Sequence, residues 1–376
     1  FFFLLLEFCS YTILKSKIGL AYFQTFKGTK KFTENQLAVY LKYRNKITGW
    51  PVKTNNNLNN QYTKDGYRIS DYNSSELENC ISLYGDSFTF GSDVSHNDAW
   101  SSLLAKKLNC SVYNFGVPAF GVDQSFLRFK ENIHFNSKLT ILGIYPDDIE
   151  RNLTQNYSLI ADNSISIFNF KPKFIINNKG DLELIKIPIN SLNDGKLFLK
   201  NFKLFLKDDE LIHKYNKKLI EPKFPYFSTL IKLGIIFFEK KKNSISKTGL
   251  LPDSLPFWLR EKESLKLNSK IIDLFFKLCE EKNKVCKILI IPDYTSLQYF
   301  HDTKKNININ IYEKSTWRKN VWDPTSWFGE KMKNSNPCMY IGLSNDCNGH
   351  YNITGNKLLS NFIIEKLNNE NIKFDN

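Results

Sequence analysis

The chain has 376 residues, 42% of them apolar and 15% aromatic, enough to bury a substantial core in one large domain or two smaller ones, which excludes a disordered or low-complexity protein. Its formal net charge is +14, yet 46 of the 52 basic residues are lysine, and the six arginines form no cluster or recognised motif, so the charge does not argue for nucleic acid. The seven cysteines contain no Cys-x-x-Cys and the five histidines are scattered, which argues against a zinc site.

Residues 1–25 open on Phe1 to Leu6, interrupted at Glu7. A spanning helix takes about 20 apolar residues, so the run reads either as a truncated membrane anchor or as a buried N-terminal helix. Lys15, Lys17, Lys27, Lys30 and Lys31 follow it, an arrangement that by itself places the rest of the chain on the cytoplasmic side of a membrane. Residues 26–79, rich in Asn, Lys and Tyr, read as an extension packed on the domain, with turns at Gly49-Trp50-Pro51 and Asp65-Gly66.

Short apolar runs predict buried strands at 80–85, 111–115, 139–145, 287–292 and about 338–343. Helical patterns lie between them at Trp100 to Leu108, Gln124 to Asn132, Lys270 to Lys282 and Thr354 to Leu367. Strands alternating with helices imply a mostly parallel five-stranded sheet in a three-layer α/β/α arrangement. The core is expected at 80–150 and 271–376. Cys80 and Cys110 read as core thiols, whereas a bridge between Cys338 and Cys347 would brace the segment before His350 in an oxidising compartment.

From 151 to 270 the alternation breaks and an inserted subdomain is expected. Ser164 to Phe174 and Leu182 to Ile189, joined by Asn177-Asn178-Lys179-Gly180-Asp181, predict a hairpin followed by lysine-rich helices. Residues 161–270 hold 21 basic against 12 acidic side chains, suiting a lid or an anionic-substrate platform at the rim of a site. Trp317, Trp322, Trp327 and Phe328 either line a cleft or form a packing cluster.

The chemistry concentrates at Gly85-Asp86-Ser87-Phe88-Thr89-Phe90-Gly91, directly after the first strand, and at Asp346-Cys347-Asn348-Gly349-His350-Tyr351-Asn352. A serine hydroxyl needs an imidazole to take its proton and a third group to orient the ring. Ser87 and His350 fit the first two roles. Gly-Asp-Ser alone also suits a turn and a helix N-cap, and Gly116 and Gly121 alone suit a tight strand-to-helix turn.

Taken together, Ser87 in Gly-Asp-Ser, Gly116 in Asn114-Phe115-Gly116, Asp147 in Tyr145-Pro146-Asp147-Asp148 and His350 followed by Tyr351-Asn352 resemble the four ordered blocks of the SGNH or GDSL hydrolases. That resemblance implies a flavodoxin-like sheet with Ser87 as nucleophile, His350 as base, and Ser87 and Gly116 N–H groups as oxyanion donors. Asp147 stands where the family has asparagine. An ionised carboxylate only accepts, so it is expected to donate in its protonated form, with a raised pKa. The family places an aspartate three residues before its histidine, where this chain has Cys347; Asp346 is the preferred orienting acid, with Asn348 as the alternative.

The resemblance further implies a serine esterase that removes acyl groups, acetyl above all, from a carbohydrate or cell-envelope glycan, without a cofactor. Lipid or aryl esters follow as substrates. The alternatives are an acyltransferase using the same site and a glycan-binding module with a decayed site. It also implies an extracytoplasmic domain with membrane association through the N-terminus.

Overall fold

In the computed structural model the aliphatic runs pair as β1 (Asn79–Tyr84), β2 (Ser111–Asn114), β3 (Leu139–Ile144), β6 (Val285–Ile290) and β7 (Val321–Trp322), in the order β2-β1-β3-β6-β7 and all parallel. The residues described are 2–15, 34–50, 61–74, 76–157, 170–210, 224–232, 234–235, 256–260, 262–333, 335–342, 347 and 349–374. They divide into two compact units. One comprises Phe1–Tyr43, Leu153–Lys171 and Ile187–Arg260; the other comprises Arg44–Asn152, Pro172–Lys186 and Glu261–Asn376 and holds the sheet.

The period of two along β1 sends its side chains to opposite faces. Ile81 and Leu83 share a core with Trp100 and Leu104 of α2 (Trp100–Leu108) and with Leu359, Phe362 and Ile363 of α5 (Ile353–Asn369). Tyr84 points the other way, stacked on Phe115 at 5.1 Å and set edge-on to Phe129 of α3 (Val122–Glu131), which in turn meets Phe275 of α4 (Lys262–Glu281). Helices therefore cover both faces of a parallel sheet, as the alternation of strands and helices predicts. Each such side chain, fully buried, contributes about 1.5–3 kcal/mol relative to exposure.

Strand order reverses between β1 and β3, and a four-residue helix, α1 (Ser87–Phe90), leaves β1 at that point. Close approach of α1 to the sheet depends on two glycines. A Cβ on Gly85 would lie 2.0 Å from Thr89 Oγ1, and one on Gly143 would lie 2.2 Å from the same oxygen. The Thr89 side chain thus fills the space that both residues leave empty.

The fifth strand is not at 338–343. It is the dipeptide Val321-Trp322, paired with Ile288 and Leu289, too short to leave any periodicity in the sequence. Pro337 instead opens a single 3-10 turn, capped by Asn336, whose Oδ1 accepts from the Cys338 N–H, and Ile341 bridges antiparallel to Tyr351. Cys80 and Cys110 are not free thiols: they form a disulfide, with Cα atoms 5.9 Å apart, because β1 and β2 lie side by side. Cys279–Cys286 and Cys338–Cys347 are also bridged, and Cys9 is free and exposed.

The hairpin is β4 (Lys173–Ile176) against β5 (Leu182–Ile185), its turn held by Asn177 Oδ1 accepting from the N–H groups of Lys179 and Asp181. It belongs to the unit that contains the sheet. Residues 164–169, the first part of the expected hairpin, lie outside the described residues. The other unit has its own core of Leu37, Phe170, Ile187, Ile189, Phe198 and Leu206. Its N-terminal helix, Phe2–Lys15, buries Glu7, whose carboxylate accepts from the N–H groups of Tyr226 and Phe227 at 2.6 and 3.1 Å. This accounts for the one acidic residue within the apolar run. No helix among the described residues is long and apolar enough to cross a membrane.

Candidate active site

Asp86 ends the extended backbone after β1 and caps α1: its Oδ1 accepts from the N–H groups of Phe88 at 2.9 Å and Thr89 at 3.4 Å. The turn-and-cap reading of Gly-Asp-Ser is therefore correct for Asp86, and the cap fixes Ser87 as the first helical residue. Ser87 Oγ donates to Asp86 Oδ2 at 3.2 Å. Its N–H, one of the unpaired donors at a helix start, has no acceptor among the described residues.

The neighbouring Phe88 gathers two distant parts of the chain. Its ring stacks on Tyr145, beyond β3, at 4.2 Å, lies 4.8 Å from the His350 ring and meets Tyr351 edge-on at 5.4 Å. Tyr351 is anchored in turn by its hydroxyl, which donates to the Pro292 carbonyl beyond β6. Block one and block four are thus brought together at the carboxyl ends of the strands, although Ser87 and His350 are not hydrogen-bonded to each other.

The His350 Nδ1 lies 2.9 Å from Asp93 Oδ2, and the same oxygen accepts the His350 backbone N–H at 3.1 Å. Partial burial acts to raise the Asp93 pKa, but the hydrogen bonds from the ring and the backbone, with the ring's charge, hold it below the usual carboxylate value. Asp346 and Asn348, the orienting groups favoured by proximity in sequence, lie outside the described residues. Asp93 was not singled out from the sequence. Its one local signal is an Asp following Gly91-Ser92 in a loop, since Asp tolerates a left-handed backbone better than most residues, and its φ is +68°.

Gly116 takes a different part from the one expected. Its N–H donates to Asn114 Oδ1 at 2.9 Å, so it already has an acceptor and is not aimed at an oxyanion. What requires glycine is space: a Cβ there would lie 2.5 Å from the Phe90 nitrogen of α1. The residue lets the loop after β2 lie directly against the helix that carries Ser87.

Asp147 is solvent-exposed. Desolvation, and next the neighbouring Asp293 carboxylate, push its pKa up, against the opposing influence of Arg151 and a hydrogen bond from Tyr145. Asp148 is fully buried; burial and then Asp86 raise its pKa well above the usual value. The Arg151 guanidinium lies between these two, 2.5 Å from Asp148 Oδ1 and 3.4 Å from Asp86 Oδ2. The negative charge beneath Ser87 is therefore compensated by one cation with two carboxylate partners.

Trp322 and Phe328 lie in the core, with Trp327 packed against it, whereas Trp317 stacks on Phe276 of α4 and lines a cavity with Lys287 and Asn320. Trp317 and Trp322 are buried, and the indole N–H groups of Trp317, Trp322 and Trp327 donate to Asp273 of α4 and to Glu370 and Glu365 at or beside α5. Among the described residues no group of three or more His, Cys, Asp or Glu side chains is placed to hold a metal ion.

No family model matches the chain. No curated protein matches it. Among solved structures it is similar to a protein from Desulfitobacterium hafniense DCB-2 assigned to a G-D-S-L lipolytic family, at 12% identity and a TM-score of 0.20, over 67% of this chain and 97% of that one. A likeness of that size transfers neither family nor activity.

Proposed function

We propose that this chain is a serine-dependent ester hydrolase acting on an acylated carbohydrate or cell-envelope glycan. One observation carries the reading: a serine on a capped turn at the switch point of a parallel sheet, with an N–H that has no acceptor among the described residues, shares an aromatic neighbour with a histidine from the far end of the chain. In this reading Ser87 Oγ turns from Asp86 toward His350 Nε2, loses its proton to that nitrogen and bonds to the ester carbonyl carbon. The departing alkoxide then takes the proton from Nε2. Water, deprotonated by the same nitrogen, releases the acyl group as carboxylate and restores the serine. Hydrogen bonds of this kind are often absent in unliganded sites and form with substrate. Transfer of the acyl group to a second sugar hydroxyl follows the same steps. Comparing hydrolysis of acetylated sugars with that of p-nitrophenyl esters tests the substrate class, and turnover of neither would sink the reading.

The oxyanion donors in this proposal are the Ser87 N–H and the protonated carboxyl of Asp147. Because desolvation and Asp293 raise the Asp147 pKa, the group donates below that value and stops donating as pH rises through it, whereas an amide donates at every pH. Asp147→Asn is therefore expected to match or exceed wild type, with a variant-to-wild-type ratio of kcat/KM that climbs from acid to alkaline pH. A ratio that is flat or falls with pH would remove Asp147 from this role.

We also propose an extracytoplasmic, membrane-associated location. Three disulfides using six of seven cysteines suit an oxidising compartment. The N-terminal helix exposes Phe2, Phe3, Leu4, Leu5 and Phe8, more apolar surface in one place than a soluble protein usually leaves open. The protein is expected to co-sediment with vesicles containing phosphatidylglycerol, and the variant Phe3→Glu/Phe8→Glu to remain in the supernatant. Equal partitioning of the two would refute the membrane role of this helix.

A further inference from the structure

We infer that Asp93 is the acid that positions His350, so that nucleophile and orienting carboxylate come from one loop and only the base comes from the chain's other end. The inference rests on the serine-hydrolase reading for its kinetic consequence, but its geometric core is independent of that reading. Asp93 Oδ2 accepts two hydrogen bonds from one residue, the Nδ1–H and the backbone N–H of His350. An ionised carboxylate has no proton to give, so a neutral His350 carries its hydrogen on Nδ1 and leaves the Nε2 lone pair available.

The surroundings hold that carboxylate in place from both sides. Asp93 has φ +68°, a left-handed conformation that a non-glycine residue adopts at some cost. The buried Arg68 guanidinium fixes the loop there, donating to the carbonyls of Phe90 and Gly91 before Asp93 and to that of Val94 after it, the last at 2.8 Å. On the histidine side, Gly349 has φ +93°, and a Cβ on it would lie 2.8 Å from Asp93 Oδ2. The Cys338–Cys347 disulfide and the Gly342 N–H donating to the His350 carbonyl at 2.8 Å tether Cys347 and His350 themselves.

When Ser87 transfers its proton to Nε2, the ring becomes an imidazolium with N–H on both nitrogens. Asp93 stays ionised and stabilises that charge; it takes no proton itself. Among the described residues, the titratable side chain hydrogen-bonded to the ring is Asp93, and the ring's aromatic neighbour is Phe88.

Asp93→Asn and Asp93→Gly test this, because both residues tolerate the left-handed backbone and so remove the charge without forcing the loop to refold. Two readouts are needed: the 15N spectrum of the His350 ring at alkaline pH, and kcat and KM for p-nitrophenyl acetate. We expect the Nδ1–H tautomer in wild type and its loss in Asp93→Gly, which offers Nδ1 no acceptor and lets the ring revert to the Nε2–H form. We expect kcat in both variants to fall at least tenfold and as much as about 10⁴-fold, with KM changed less than threefold. Persistence of the Nδ1–H tautomer in Asp93→Gly, or a kcat within tenfold of wild type in both variants, overturns the assignment. If wild type hydrolyses no ester, the serine-hydrolase reading fails, and the tautomer measurement still decides whether Asp93 positions the ring.

Discussion

Replacing Ser87 by alanine is expected to lower ester hydrolysis by about 10⁴- to 10⁶-fold, with no loss of fold. The size of the effect follows from the role: without Oγ no acyl-enzyme forms, and only substrate binding and oxyanion stabilisation remain. The fold should survive because the capping of α1 uses Asp86 Oδ1, whereas Ser87 contributes only a hydroxyl bonded to the other oxygen. Alanine is also a good first-turn residue. Circular dichroism and the hydrolysis rate of the purified variant check both halves. A folded Ser87→Ala protein with wild-type activity would end the esterase reading.

The second large effect is on stability. Arg151 lies between Asp86 and Asp148, both fully buried, and also donates to the Phe120 carbonyl at 2.9 Å. Removing one partner of a buried ion pair leaves the other charge without compensation, so Arg151→Met is expected to cost about 3–5 kcal/mol of unfolding free energy. The sign of its pH dependence is fixed by Asp148. Burial and Asp86 raise its pKa in the folded protein, so the folded state binds a proton more tightly than the unfolded state does, and stability rises as pH falls through that pKa. The defect of Arg151→Met should shrink on acidification and be largely relieved at neutral pH by adding Asp148→Asn. Denaturant unfolding of the single and double variants measures this. Additive losses would show that the arginine acts by packing rather than by charge.

How much of this was readable in the sequence depends on how local each feature is. β1, β2, β3 and β6 are visible because each is a short apolar run between turn residues, and the helices because their apolar positions recur with helical spacing. β7 is invisible because two residues carry no period. The Cys80–Cys110 bridge follows from the adjacency of β1 and β2, which depends on strand order and not on any property of either cysteine. Ser87 and His350 stand out in the sequence because their immediate neighbours are distinctive. Asp93 does not, because its claim rests on a contact with a residue far away in sequence. Asp346, favoured by the family's aspartate position and by its negative charge, lies outside the described residues, while the ring's requirement is an oxygen near Nδ1. Gly116 shows the converse: its position in the pattern was recognised, but only the backbone beside it reveals that its N–H faces Asn114 and that α1 is what needs the missing Cβ.

The central claim is that Ser87 is a nucleophile activated by His350. Treatment with a fluorophosphonate, followed by peptide mass mapping, tests it most directly, because the reagent bonds only to a serine that can be deprotonated in place. The account predicts a single adduct on the peptide carrying Ser87, formed at least 100-fold more slowly in a folded His350→Ala variant. No adduct in the native protein, an adduct on another serine, or an unchanged rate without His350 would contradict it.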